Sequence, residues 1–137
     1  MRRRPAAVGL VAWTFFVWTT RIVNIWRDNA LDTGEKWGRT GLAFSFTVLA
    51  VAAVVALVRG PARAVTVTIG LLAAWSVGVW VVRDIRIVAA DHDPAFKAVH
   101  VTLGVISIVL AALAWREDRR LAAASAAPPA TPTPART

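Results

Sequence analysis

Residues Ala12 to Asp28 read AWTFFVWTTRIVNIWRD, placing two tryptophans and an arginine inside what is otherwise a membrane-spanning helix. Sixty-two positions later the signature returns: Ala74, Trp75, Val79, Trp80 and Arg83 fall on Ala12, Trp13, Val17, Trp18 and Arg21, and Ser76 falls on Thr14. A repeated Trp-x4-Trp-x2-Arg element therefore organises the chain.

The 137 residues are 57% hydrophobic with a mean hydropathy of +0.56, too apolar for a soluble domain of this size. There is no cysteine, which excludes disulfides, cysteine-ligated zinc, iron–sulfur clusters and thiol catalysis. The net charge of +8 sits at the chain ends and the middle loop, between apolar runs. Positive-inside topology accounts for that placement better than nucleic-acid binding does.

MRRR precedes an apolar run from Pro5 to Thr20. No A-x-A site follows and the helical pattern continues to Trp26, so an uncleaved first helix over about 5–28 is expected. A hydrocarbon core of about 30 Å takes about 20 helical residues. Pro5 to Thr20 supplies only sixteen, so the span is expected to continue past Arg21 and hold it below the outer interface. The polar stretch Arg27 to Arg39 follows, then a second helix over about 40–58. Arg59-Gly-Pro-Ala-Arg63 is a turn, and a third helix covers about 64–83, or runs on to 90. Asp91-His92-Asp93-Pro94 is a turn leading to a fourth helix over about 98–115. Residues 1–116 thus form the four-helix domain, and 117–137, rich in Ala, Pro and Thr, read as a disordered cytoplasmic tail.

Arg2, Arg3, Arg4, Arg59, Arg63, Arg116, Arg119 and Arg120 lie on one side, opposed only by Glu117 and Asp118. On the other side the cations are balanced by six carboxylates. Both termini are therefore expected in the cytoplasm of a bacterium, with the chain in its plasma membrane. Trp26, Trp37 and Trp115 suit an aromatic belt, whereas Trp13 and Trp75 sit too deep for one. The expected fold class is all-α: an integral membrane four-helix bundle of two parallel-repeat helical hairpins. The repeat is faint in the second and fourth helices, where Lys36, Thr40 and Gly41 meet Lys97, Thr102 and Gly104 only with shifting gaps.

Helical spacing puts Thr14, Trp18, Arg21, Asn24 and Asp28 on one flank of the first helix, and Ser76, Trp80, Arg83 and Arg86 on the matching flank of the third. His100, Gly104, Ser107, Ala111 and Ala114 share a face of the fourth, and Gly41, Ser45, Ala52 and Ala56 one of the second. Such small-residue stripes permit close helix approach in lipid. Gly70, Ala74 and Gly78 form a further small-residue ladder opposite Arg83, a packing face for a second copy or a partner membrane protein. A monomer-only result from crosslinking in lipid would count against that use.

An ionisable residue within a span points to function. Arg21 and Arg83, with His100 nearby, form a candidate site for an anion or lipid headgroup, because guanidinium forks match carboxylate and phosphate. The other reading is that the arginines snorkel or pair internally, with Asn24, Asp28 and Asp84 as partners. Asp91, His92, Asp93 and His100 offer too few convergent ligands for a metal, and one in-helix histidine does not support a bis-His haem. No metal or cofactor is expected. Every carboxylate reads as lying at a helix end, in a loop or in the tail, which argues against a proton-driven pump. No nucleophile elbow or H-E-x-x-H occurs, so no enzyme activity is expected.

AWTFFVWTTRIVNIWRD and FKAVHVTLGVISIVLAALAW together resemble small four-helix integral membrane proteins of actinobacterial type. The resemblance covers about residues 6–116. It implies architecture and location, and carries over no catalytic residue. The expected role is non-catalytic binding or assembly with membrane lipids, a second copy or a partner membrane protein, and not nucleic acid. The alternative is a small transporter or permease-like subunit with an outward-facing anion site.

Overall fold

The computed structural model describes residues 4–126, with no strand among them. They form α1 (Pro5–Arg27), α2 (Thr33–Arg59), α3 (Ala62–Ala89) and α4 (Pro94–Ala126). Each helix is long and apolar enough to cross a membrane, which makes this a multi-pass membrane protein. The helices pack in a ring, α1 on α2, α2 on α3, α3 on α4 and α4 on α1, as short antiparallel connections dictate.

Local chemistry places the helix ends differently from the apolar runs. Helix α2 starts at Thr33 rather than Thr40, because Asp32 and Glu35 form a capping box: the Asp32 carboxylate accepts the Glu35 N–H at 2.8 Å, and the Glu35 carboxylate accepts the Asp32 N–H at 3.4 Å. Helix α4 starts at Pro94 rather than Ala98. Proline suits a first helical position, and the Asp93 carboxylate accepts the Ala95 N–H at 2.8 Å.

The expectation of a disordered tail from 117 fails over residues 117–126, which continue α4. REDRRLAAASA contains no Gly or Pro and many strong helix formers. Its acids also have partners on α1. The Glu117 carboxylate accepts the N–H groups of Ala6 and Ala7 at 3.3 and 3.1 Å, filling donors that the start of a helix leaves open, and Asp118 pairs with Arg4. Residues 127–137 of the expected tail lie outside the described residues, as do Arg2 and Arg3.

Burial repeats with the sequence. Ala7, Leu10, Val11, Thr14, Trp18 and Ile25 are buried in α1; Ile69, Leu72, Ala73, Ser76, Trp80 and Ile87, each sixty-two positions on, are buried in α3. In α2 the buried stripe is Ala43, Phe46, Ala50 and Ala53, and in α4 it is Gly104, Ser107, Ala111 and Ala114, each sixty-one positions on. The change of one is the loop: 28–32 joins α1 to α2, whereas 90–93 joins α3 to α4. Lys36 and Lys97 keep this register; Thr40 with Thr102 and Gly41 with Gly104 do not. The expected α2 stripe is therefore corrected. Gly41 is exposed, Ser45 and Ala52 are half-buried, and of the four only Ala56 is buried. Alanine, rather than glycine, lets α2 approach its neighbours.

The deep tryptophans are satisfied across helices. The Trp13 indole N–H donates to Ser107 Oγ at 2.9 Å and the Trp75 N–H donates to Ser45 Oγ at 3.0 Å; the tryptophans are repeat-related, whereas Ser45 lies one residue before Phe46, the register counterpart of Ser107. At the centre Trp18 stacks on Phe46 with centroids 4.0 Å apart and planes 16° apart, and Trp80 lies tilted at 6.1 Å from Trp18.

Asp84 corrects another expectation. Because α3 runs to Ala89, Asp84 lies inside a helix rather than at its end, and the objection to proton coupling drawn from carboxylate placement falls away. Its carboxylate rests on Gly104 of α4, where a Cβ would overlap it. Gly104→Ala is expected to destabilise the bundle by about 1–3 kcal/mol through overpacking. Asp84→Ala in the same chain should restore most of that loss, as read by denaturation in mixed micelles. If both variants lose the same stability, the contact is not the cause.

Candidate anion site

Arg21 and Arg83 project from repeat-related positions of α1 and α3. Between them lies a cavity of about 120 Å³, lined also by Asn24, Trp18, Trp80, His100 and Leu103. The structure thus brings Arg21, Arg83, His100 and Asn24 to one space. The Arg83 guanidinium carbon lies 5.9 Å over the Trp80 ring, a cation–π contact that holds it beside the cavity floor. Arg83 Nε is buried with no hydrogen-bond partner. His100 Nδ1 is 2.9 Å from the Phe96 carbonyl oxygen. A carbonyl only accepts, so Nδ1 carries the hydrogen in that bond and Nε2 is the free ring position. The His100 ring packs on Phe96 at 3.9 Å, which fixes its orientation.

The cavity lining holds two guanidiniums and no carboxylate. Like charges sharing so small a volume repel, and a bound anion turns the repulsion into attraction. Among the described residues the salt bridges are Arg4–Asp118 and Arg39–Glu35, so neither cavity arginine is in one. Asp28 and Asp84 lie near enough to attract Arg21 and Arg83 respectively, but neither closes to a salt bridge. The Asp28 carboxylate accepts the Ala30 N–H at 2.9 Å, and Asp84 faces Gly104 with one carboxylate oxygen buried and unpartnered. Asn24 does line the cavity.

The shared burial register sets Arg21 and Arg83 at equivalent heights. Nineteen uncharged residues, Ala64 to Val82, precede Arg83, or about 28 Å of helix, close to the thickness of a hydrocarbon core.

The Gly70, Ala74, Gly78 ladder divides. A Cβ on Gly70 would come within 2.9 Å of the Trp115 ring, so this glycine already serves a contact within the chain. Ala74 is exposed, and nothing lies within 4 Å of a Cβ on Gly78. Among the described residues no three metal-ligating side chains converge. Sequence reasoning missed Glu117, Asp118 and Arg39. It placed Ser45 and Ser107 on helix faces but not as acceptors of the Trp75 and Trp13 indole N–H groups.

No family model matches the chain, and no match is found among curated proteins or solved structures. The class is therefore the one that fold and site define: a four-helix membrane bundle of two parallel hairpins with a cationic cavity towards one end.

Proposed function

We propose that this chain is a non-catalytic binding protein of the bacterial cytoplasmic membrane. It holds the carboxylate or phosphate of an anionic ligand between Arg21 and Arg83, with His100 Nε2 as a further polar contact. The observation that carries this reading is the convergence of these side chains on one cavity that has no carboxylate of its own. The excess of arginine at the other end, including Arg59, Arg63, Arg116, Arg119 and Arg120, supports an orientation with both chain ends cytoplasmic and the cavity towards the outer surface. Membership among small four-helix proteins of actinobacterial type is consistent with the Ala/Arg/Val-rich composition. The exposed position of Ala74 would suit close approach of a second copy or a membrane partner.

A small transporter subunit with the same outward-facing site is the second reading, favoured by the placement of Asp84 inside α3. Anion flux into proteoliposomes would support it over simple binding.

Hydrogen bonds to a charged group contribute about 1.5–3 kcal/mol, and 1.4 kcal/mol is tenfold in affinity. Arg21→Ala should therefore weaken stabilisation by inorganic phosphate or acetate about 10- to 100-fold in a thermal-shift titration. Wild-type behaviour of Arg21→Ala towards both anions, and towards phosphatidylglycerol, would end this reading.

A further inference from the structure

The cavity between α1 and α4 has a counterpart between α2 and α3, and the two differ in an informative way. The second crevice is a groove of about 770 Å³, against about 120 Å³ for the first. Seven lining positions of each correspond in the registers set by burial. Arg83 stands for Arg21, Val79 for Val17 and Leu42 for Leu103, so the crevices are one feature built twice. Where the cavity has Phe16 the groove has Gly78, and nothing lies within 4 Å of a Cβ there. Loss of one aromatic ring opens the groove. Charge changes with size. Asn24 gives way to Arg86 and His100 to Arg39, so three arginines stand at one end of the groove and no carboxylate lines it. The exposed Arg39–Glu35 pair, at 3.7 Å, leaves the Arg39 guanidinium available.

We infer that the α2–α3 groove binds one anionic phospholipid, with its phosphate held by Arg39, Arg83 and Arg86 and an acyl chain lying over Gly78. Below the arginines the walls are Leu42, Val79 and Val82. Trp75 closes the lower end, eight residues or about 12 Å down α3 from Arg83, and its indole is pinned by Ser45. A cationic rim over an apolar slot matches the order of groups in a lipid: phosphate at the edge of the hydrocarbon core, chain beneath it. A neutral lipid would leave three guanidiniums facing a groove with no carboxylate in its lining, and a free anion would leave the slot unfilled. The groove shares Arg83 with the smaller cavity but needs neither Arg21 nor His100.

The test uses the full chain in nanodiscs of mixed phosphatidylglycerol and phosphatidylcholine, with retained lipid read by native mass spectrometry. Wild type should retain one phosphatidylglycerol with at least about tenfold preference, the size of one lost charge-assisted contact. Gly78→Phe copies the first repeat, which accommodates Phe16 at the same place, and should abolish retention while inorganic phosphate still binds. Arg39→Ala with Arg86→Ala should reduce the lipid preference by tenfold or more with the groove still open, and keeps the proposal testable if Gly78→Phe fails to fold. Wild-type retention in Gly78→Phe, or an undiminished preference in the double arginine variant, overturns the site. If inorganic phosphate does not bind the wild type but lipid retention is sensitive to Gly78, the anion cavity is wrong and the groove stands.

Discussion

Arg83→Ala is expected to lose anion binding at both crevices at once. Arg83 lines the small cavity beside Arg21 and the large groove beside Arg39 and Arg86. Its Nε is buried without a partner, and Trp80 lies beneath its guanidinium, so the side chain is positioned before any ligand arrives. Loss of a preorganised guanidinium contact costs about 1.5–3 kcal/mol at each site. The expected result is a 10- to 100-fold weaker response to inorganic phosphate and a similar loss of phosphatidylglycerol preference. Arg83→Lys keeps the charge but not the fork, and should fall between. Arg27→Ala removes an exposed cation of the same end that lines neither crevice, and should leave both responses intact. If Arg83→Ala behaves like Arg27→Ala, net charge rather than geometry attracts the anions.

The existence of the four helices was legible because each contains an uncharged run of sixteen to nineteen residues. Their ends were not, because capping and tertiary contact set them. Asp32 and Glu35 extend α2 through polar residues, and the acids following Trp115 find their partners on α1. The repeat was legible in α1 and α3, where tryptophan and arginine mark the register. It was faint in α2 and α4: small-residue spacing picked out the buried Gly104, Ser107, Ala111 and Ala114 of α4 but not the buried stripe of α2, and one residue fewer in the second loop displaces the match. The same blindness hid the groove. Gly78 and Phe16 can be compared as walls of equivalent crevices only once Leu42 and Leu103 are known to face them. Arg21, Arg83, His100 and Asn24 stood out as polar groups on apolar helices, and spacing alone sufficed to put them on convergent flanks.

The two central tryptophans, equivalent in sequence, should differ in what they contribute to stability. Trp18 is 4% exposed and Trp80 3%, so burial does not separate them. Their neighbours do. Trp18 stacks on Phe46, which is fully buried; the register counterpart of Phe46 on α4 is Ser107, which instead receives the Trp13 N–H. Trp→Ala in a core costs about 3–5 kcal/mol. The low end applies here, because lipid rather than water surrounds the separated helices and the loss is mainly cavity and dispersion. Trp18→Ala is therefore expected to cost about 3 kcal/mol, and Trp80→Ala less by the worth of an aromatic stack, about 0.5–1.5 kcal/mol. Denaturation in mixed micelles measures both. A double-mutant cycle of Trp18→Ala with Phe46→Ala isolates the stack and should return a coupling of that size. Equal losses from the two tryptophans, with no coupling to Phe46, would mean that stability follows the repeat in the sequence rather than the asymmetry in its packing.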